Sequence, residues 1–442
     1  MFRTFGSLYS RGNYHVFFEH FPFGLYSSRR YIAHSTSEDL LLWHNDPIAI
    51  YPTKKEDEDG AYEGSAIADE KGEIDLYYVG INYLKRDPED LNTYLADSPL
   101  KTNLMSIRST SGSFGDCFDN VHGKDLILTD EQAQKLGFES GSLRDPEVYR
   151  IDNSNRLLTF IGKTKEGCCL AFMAGRKGKE SKWTWELRGI KPFPKGMAVR
   201  TIRFFASGDK SLVVFESNLP KYKIGRGDLP AYHCSLSFGA LDFKDFSFAI
   251  DEKAVVPLDY GFDIRAPKVA YDTRNLPYIV GSMIMAHDIK GERGLISLPR
   301  RVQIDESGHI VQEIHPLIAK RLIYKSTDFK IKQTHFPILA QATFKEGSYL
   351  KLGNLSIYLT DSLLHVDRRK AMDKTSGHTR IEITGLPVKG SKVLVKAFLD
   401  QDICEVEAEG LVASFITFDT SNIVKADGLE GLSLYTVNPT KS

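Results

Sequence analysis

The stretch Gly12–Phe18, which reads GNYHVFF, shows a pattern that repeats along this chain. Two turn residues precede a short run of aromatic and β-branched residues, which is the composition of a β-strand. Similar runs, separated by Gly, Asp, Asn and Pro, are found at Ile74–Val79, Arg156–Phe160, Ser211–Phe215, Pro277–Val280, Ser356–Leu359 and Lys392–Phe398. Many strands at close spacing predict an all-β fold, which could be a propeller, a sandwich or a barrel.

Helical periodicity is almost absent, and the two best helix candidates, Asp130–Leu136 and Ile314–Leu322, are short. A chain of 442 residues exceeds what one hydrophobic core usually serves, so we expect two domains. No Gly/Ser-rich linker separates two parts of the chain, which predicts a packed interface between the domains rather than a flexible tether.

The charge balance excludes some classes of partner. The formal net charge is −1, so no general electrostatic attraction to nucleic acid or to an anionic membrane is expected. No run of about 18 apolar residues is present, and the first residues lack the pattern of a secretory signal. The chain has an odd number of cysteines without metal-ligand spacing, namely Cys117, Cys168, Cys169, Cys234 and Cys404. This pattern favours a reducing compartment, so we expect a cytoplasmic protein. No metal or cofactor is expected.

Nine short segments, spread over most of the chain, occur in a characteristic order. They are Gly6–Tyr9, Gly12–Phe18, Phe21–Gly24, Ala33–Trp43, Asp59–Ala66, Arg144–Pro146, Asp259–Pro267, Ile296–Arg300 and Phe398–Val406. Together they resemble glycoside hydrolase family 32, the family of invertases, levanases and sucrose-6-phosphate hydrolases. Examples are HATSxDLxxW, which is similar to the fourth segment, and RDP, which the sixth segment matches.

The resemblance selects one architecture among the all-β alternatives. It implies a five-bladed β-propeller over residues 1–305, a connector over 306–325 that contains His315 and Pro316, and a C-terminal β-sandwich over 326–442. It also implies a β-fructofuranosidase-like site at the mouth of the propeller. The partner would be a small carbohydrate or a sugar phosphate, and the sandwich could support a homo-oligomer.

The catalytic nucleophile of the family is replaced in this chain. Retaining glycosidases use two carboxylates at roughly 5 Å, one to attack the anomeric carbon and one to protonate the leaving oxygen. Alignment on Gly6 places Arg3 where the resemblance puts the nucleophilic Asp of NDPNG. A guanidinium cannot attack carbon, and its charge opposes a cationic transition state. The alternative is a shifted N-terminus, which would leave the true motif outside this chain.

The acid/base Glu is also missing from its expected segment. Gly196–Phe205 resembles GxMWECPDFF, which puts Val199 or Arg200 at the position of the acid/base. The nearest carboxylate, Glu216, is expected on the next strand as an exposed residue. Only Asp145 of RDP keeps its family context, and the resemblance gives it the role of binding sugar hydroxyls and stabilising the transition state.

Other expected pocket positions have also changed, and two of them have become arginine. The resemblance places Glu19 and Phe21 at YQYNP, Arg265 at the aromatic of FYAP and Arg301 at the Glu of LPRE. Our first hypothesis is a basic pocket that binds an anionic sugar. It would unite Arg3, Arg265 and Arg200 or Arg203 around Arg144 and Asp145. The alternative is that these arginines are solvated or paired with Asp145, Asp263 and Glu63.

Two further functions belong to other classes. An active glycosidase could use relocated carboxylates, provided that two of them lie within about 10 Å across a cleft. The candidates are Glu19, Glu63, Asp145, Glu147, Glu216 and Asp263. A non-catalytic partner of an active paralogue could instead use a sandwich edge such as Lys392–Phe398.

Overall fold

The computed structural model of this protein is nearly all β-sheet, as the sequence predicts. Five sheets lie around a central channel, and two more pack together in the C-terminal part. No described helix is long and apolar enough to cross a membrane. The structure describes residues 3–23, 29–85, 89, 98–112, 115–178, 182–227, 229–289, 292–322, 324–326, 337–371, 381–400, 402–417 and 424–437.

The first three sheets are antiparallel and follow the order of the chain. The first contains β1 (Thr4–Ser10), β2 (Asn13–His20), β3 (Tyr31–Ser37) and β4 (His44–Ile50). The second contains β5 (Ala61–Ala68), β6 (Ile74–Tyr83), β7 (Leu100–Gly112), β8 (Gly115–Phe118) and β9 (Lys124–Leu128). The third contains β10 (Arg144–Arg150), β11 (Asn155–Thr164), β12 (Gly167–Lys177) and β13 (Trp183–Pro192).

The fourth and fifth sheets are also antiparallel. A two-residue strand, β16 (Arg226–Gly227), follows β15 in the chain but does not belong to the fourth sheet. The fourth contains β14 (Val199–Ser207), β15 (Lys210–Ser217), β17 (His233–Asp242), β18 (Ser247–Ile250) and β19 (Val256–Pro257). The fifth contains β20 (Ile264–Tyr271), β21 (Pro277–Ile289), β22 (Glu292–Ile296), β23 (Arg300–Ile304) and β24 (Ile310–Ile314).

The five sheets close into a ring. The inner strands β1, β5, β10, β14 and β20 contact one another in this order, and β1 also contacts β20. Apolar side chains fill the space between neighbouring sheets, as Phe5, Leu76 and Met105 do between the first and the second. This closed arrangement is the predicted five-bladed propeller.

Two six-stranded sheets form the predicted C-terminal sandwich. The strands after the propeller are β25 (Tyr324–Ser326), β26 (Ile338–Lys345), β27 (Tyr349–Leu352), β28 (Leu355–Thr360), β29 (Leu363–Asp367), β30 (Ile381–Pro387), β31 (Lys392–Asp400), β32 (Ile403–Ala408), β33 (Leu411–Ile416), β34 (Val424–Asp427) and β35 (Glu430–Thr436). One sheet has the order β16-β30-β29-β28-β27-β34 and the other β25-β35-β26-β31-β32-β33. Their buried faces share one apolar core.

Both predicted helices are present and short: α1 (Asp130–Lys135) and α2 (Pro316–Arg321). Single 3₁₀ turns lie at Lys55–Asp57 and Glu252–Ala254. The Thr129 hydroxyl caps α1, and the His315 ring caps α2. Because β24 extends the fifth sheet to Ile314, we propose that the propeller ends there rather than at residue 305.

The two parts of the chain share a buried polar interface, as the absence of a linker predicts. Arg300 donates to Asp259, Glu405 and Ser414, so one propeller side chain binds two strands of the sandwich. The short strand β16 of the propeller region pairs with β30. These contacts fix the sandwich against the propeller.

Candidate active site

Each inner strand carries a β-bulge near its first residues, where one extra residue is inserted. The register shifts lie at Thr4/Gly6, Tyr62/Gly64, Arg144/Glu147, Val199/Thr201 and Arg265/Lys268. Three bulge residues have positive φ: Glu63 (26°), Asp145 (44°) and Ala266 (45°). Bulges of this kind redirect side chains, and here they turn residues of different blades toward one channel mouth.

The bulge that presents Glu63 depends on the glycine after it. A Cβ at Gly64 would collide with the Tyr77 carbonyl and the Phe5 ring, so no other residue fits there. Glu63, just before it, has a backbone conformation that L-residues seldom adopt. Sequence thus dictates the local geometry of this carboxylate.

Arg3 lies between two carboxylates at the channel mouth. Its Nη1 donates to Glu63 Oε1 at 2.5 Å, and its Nη2 donates to Glu216 Oε2 at 3.1 Å. Glu216 also accepts a hydrogen bond from the backbone NH of Ala266 at 2.9 Å. Because one guanidinium joins them, the two carboxylates lie within about 8 Å of each other.

Glu216 is fully buried, so the prediction of an exposed strand residue is wrong. It lies opposite the bulge at Thr201, where the neighbouring blades cover both faces of β15. Burial raises the pKa of Glu63, but the charges of Arg3 and Arg144 outweigh this and leave the pKa below its ordinary value. Arg3 therefore holds an ionised partner.

Two more arginines flank this cluster. Arg144 Nη1 lies 3.8 Å from Glu63 Oε1, and Arg200 Nη1 lies 3.8 Å from Glu216 Oε1. Arg200 also stacks on Tyr232, with its Cζ 3.7 Å from the ring centroid. Val199, in contrast, is buried in the apolar core between blades, so Arg200 is the member of this pair that faces the site.

Asp145 belongs to a second buried cluster. Its Oδ1 accepts from Lys268 Nζ at 2.5 Å, and its Oδ2 accepts from the backbone NH of Ile202 at 3.1 Å. Lys268 also donates to Glu147, which pairs with Arg203. Burial raises the pKa of Asp145 to about 7, although the charge of Lys268 opposes this shift.

The raised pKa of Asp145 predicts a pH dependence of stability. Between about pH 4 and pH 7 the folded protein binds a proton at Asp145 that the unfolded chain releases, so stability falls as the pH rises through this window. Asp145→Asn should reduce the slope, as measured by urea unfolding at several pH values. An exposed control, Asp119→Asn, should keep it, and equal slopes for Asp145→Asn and wild type would contradict the assignment.

Glu19 is a further buried carboxylate beside Arg3. Its Oε2 accepts from Arg30 at 3.0 Å, and its backbone NH donates to the Arg3 carbonyl at 2.9 Å. Burial raises its pKa, and Arg30 opposes the shift. Arg30 in turn stacks on Tyr62, with its Cζ 3.7 Å from the ring centroid, and lies 5.4 Å from the Phe21 ring.

Three of the arginines expected in a basic pocket lie elsewhere. Arg265 donates to the carbonyls of Phe262 and Ile264, because Ala266 occupies the bulge of β20. Arg301 pairs with Glu313 on the adjacent strand. Arg203 binds Glu147 and lines a separate cavity of about 690 Å³ at the opposite ends of the inner strands.

Asp263 is also absent from the site. It is buried against Arg368 of the sandwich and accepts from the backbone NH of Ile416. The predicted set of converging arginines is therefore only partly present, because Arg3, Arg144 and Arg200 alternate with carboxylates at the described channel mouth. Sequence reasoning missed Lys268, whose signal was a charged residue inside the apolar run Ala266–Ala270.

A closed propeller with carboxylates at one mouth and a sandwich docked beside it has the form of a β-propeller glycosidase. The family model "Glycosyl hydrolases family 32 N-terminal domain" matches residues 5–314. The chain therefore belongs to glycosyl hydrolase family 32.

The relatives in this family are distant. Sucrose-6-phosphate hydrolase of Vibrio alginolyticus is 22% identical over 97% of this chain and 86% of the relative. Raffinose invertase of Escherichia coli is 40% identical, but the match covers 17% of this chain and only 16% of that protein. The structure of sucrose-6-phosphate hydrolase from Lactobacillus gasseri matches with a TM-score of 0.75 and 18% identity, over 98% of this chain and 90% of that one.

Proposed function

We propose that this protein is a carbohydrate-binding member of family 32 that does not hydrolyse fructosides by the retaining mechanism of the family. The observation that carries this proposal is the position of Arg3, whose guanidinium bridges Glu63 and Glu216. A retaining site needs one carboxylate that is free to attack and a second group that can give up a proton. Arg3 engages both carboxylates at the position of the nucleophile.

The residue at the acid/base position supports the same conclusion. Arg200 faces Glu216 where the family resemblance places the proton donor. A guanidinium stays protonated near neutral pH and does not act as an acid there. Neither step of the family mechanism has its usual group in this chain, so we regard it as a pseudoenzyme.

Binding a sugar requires fewer groups than cleaving it, and residues suited to binding are still present in this chain. Asp145 keeps the position that binds sugar hydroxyls in the family, with Arg144 beside it. A relative that matches 97% of this chain carries the name sucrose-6-phosphate hydrolase, and one similar structure is a β-fructofuranosidase mutant in complex with sucrose. The proposed ligand is accordingly a small carbohydrate or a sugar phosphate.

Location and assembly remain predictions. All five cysteines are free thiols, which favours a reducing compartment such as the cytoplasm. A homo-oligomer through the sandwich stays a prediction, but Lys392–Phe398 is not the sheet edge that was expected, because β31 pairs with β26 on one side and with β32 on the other. Cell fractionation would test the location, and the molecular mass in solution would test the assembly.

A second candidate function has one observation in its favour. Arg3 holds Glu63 and Glu216 within about 8 Å of each other, a limit that includes the carboxylate separations of glycosidases. Arg3 would have to release one of them when a substrate binds. This alternative is an active glycosidase with relocated carboxylates, acting on an anionic or phosphorylated sugar.

One assay separates the two functions. Release of fructose and glucose from sucrose, sucrose 6-phosphate and a fructan is measured for wild type, Asp145→Asn, Glu63→Gln and Glu216→Gln. We expect no release above buffer from any protein. If wild type releases sugar and Asp145→Asn does not, the proposal is overturned. If Glu63→Gln and Glu216→Gln also release none, the relocated pair of carboxylates is established.

A further inference from the structure

Five side chains form a row of alternating charge around the channel mouth, in the order Arg144, Glu63, Arg3, Glu216, Arg200. The two ends of the row lie on neighbouring inner strands, because β10 carries Arg144, β14 carries Arg200, and these strands contact each other. The three inner members are buried, with side-chain exposure of 9% or less. The two end members are half exposed, at 50% for Arg144 and 42% for Arg200. A solute that enters the mouth therefore meets the two end arginines before it meets either carboxylate.

The end arginines keep their hydrogen-bond donors available. A separation of 3.8 Å from the nearest carboxylate oxygen is too long for a hydrogen bond. Neither guanidinium donates to another side chain or carbonyl within the part of the chain that the structure describes. Each is held near the site by charge, yet its forked donors remain unused.

Arg200 is also fixed in orientation. Its guanidinium stacks on the Tyr232 ring at 3.7 Å, which restricts rotation and leaves the edge of the fork open. A donor that is ordered before binding loses less entropy when a ligand arrives. The Tyr232 ring therefore helps to hold the donors of Arg200 in place.

We propose that Arg144 and Arg200 form an anion subsite, which binds the phosphate or carboxylate group of a sugar in the carbohydrate site proposed above. Planar guanidinium groups match both anions with paired donors. The row contains three cations and two carboxylates, so its net charge favours an anionic ligand. Arg3 acts here as a positioning residue, because it holds Glu63 and Glu216 away from the ligand.

The test is a calorimetric titration of the full chain with glucose, glucose 6-phosphate, glucuronate and inorganic phosphate. We expect the phosphorylated sugar or the uronate to bind at least about 10-fold more tightly than glucose, since a hydrogen bond to a charged group contributes about that factor. The anionic sugar that binds more tightly shows whether the subsite prefers a phosphate or a carboxylate. Affinity should fall as salt is raised. Inorganic phosphate binding as tightly as the anionic sugars would overturn the sugar subsite.

Matched variants assign the effect to these two residues. Arg200→Gln should remove the preference for the anionic sugar, and Arg144→Gln should weaken binding of the anionic sugar more than binding of glucose. Arg188→Gln is the control, because Arg188 has the same 42% side-chain exposure and also stacks on an aromatic ring, that of Phe246. A loss of the same size in the control would overturn the proposal, and equal melting temperatures would show that all variants fold.

The outcome is separable from that of the proposed function, on which this subsite rests. Sugar release in the hydrolysis assay would contradict the absence of retaining chemistry and would leave an anion preference intact. Equal affinity of wild type for glucose, glucose 6-phosphate and glucuronate would remove only the anion subsite. Substituting Tyr232→Leu provides a second probe, since it should weaken anionic binding without changing the charge of the row.

Discussion

Replacing Arg3 by aspartate is expected to lower the free energy of unfolding by about 3–5 kcal/mol and to give no fructosidase activity. The change restores the residue type that the family resemblance places at this position. It also removes the cation that binds Glu63 and Glu216, both of which are buried. Three carboxylates would then share one buried space, and at least one would have to take up a proton.

Urea unfolding of wild type, Arg3→Asp and Arg3→Met measures this effect. The triple variant Arg3→Met/Glu63→Gln/Glu216→Gln should regain much of the loss, because neutral partners remove the uncompensated charge. Fructose release is followed in parallel. Wild-type stability together with new activity in Arg3→Asp would show that the remaining site still fits the family mechanism, and that the cluster was not rebuilt around arginine.

The fold was largely predictable because its signals are local. Strand runs such as Tyr14–Phe18 and Ser211–Phe215 are short, β-branched or aromatic and bounded by turn residues, and all of the quoted runs lie in strands. The capping residues of α1 and α2 mark both helices. The number of blades has no such local signal, so only the resemblance supplied it.

The site was less predictable because its geometry depends on bulges and on contacts between blades. A one-residue bulge in β20 brings the Ala266 NH to Glu216, while Arg265 donates to the carbonyls of Phe262 and Ile264. Residue composition does not predict the position of such a bulge. Glu216 is buried by residues far away in sequence, Arg3 among them. Lys268 was overlooked for the same reason, since its partners Asp145 and Glu147 lie on another blade.

Removal of the Arg300 side-chain charge is expected to be as damaging as the loss of Arg3, although Arg300 lies at the domain interface. Arg300 is buried between Asp259 of the propeller and Glu405 of the sandwich, at 2.7 and 2.9 Å. Burial raises the pKa of Asp259 even beside this arginine. Arg300→Met should therefore lower the free energy of unfolding by about 3–5 kcal/mol, because two carboxylates would stay buried without a cation.

The pair Arg321–Asp39 provides the control, since Arg321 is half exposed and Asp39 also accepts from the backbone NH groups of Leu41 and Leu42. Arg321→Met should cost no more than about 1 kcal/mol in the same urea titration. A second transition in Arg300→Met would show that the sandwich separates from the propeller before either unfolds. Equal losses in the two variants would contradict the view that the Arg300 cluster joins the domains, and would leave the apolar contacts of the interface as its main support.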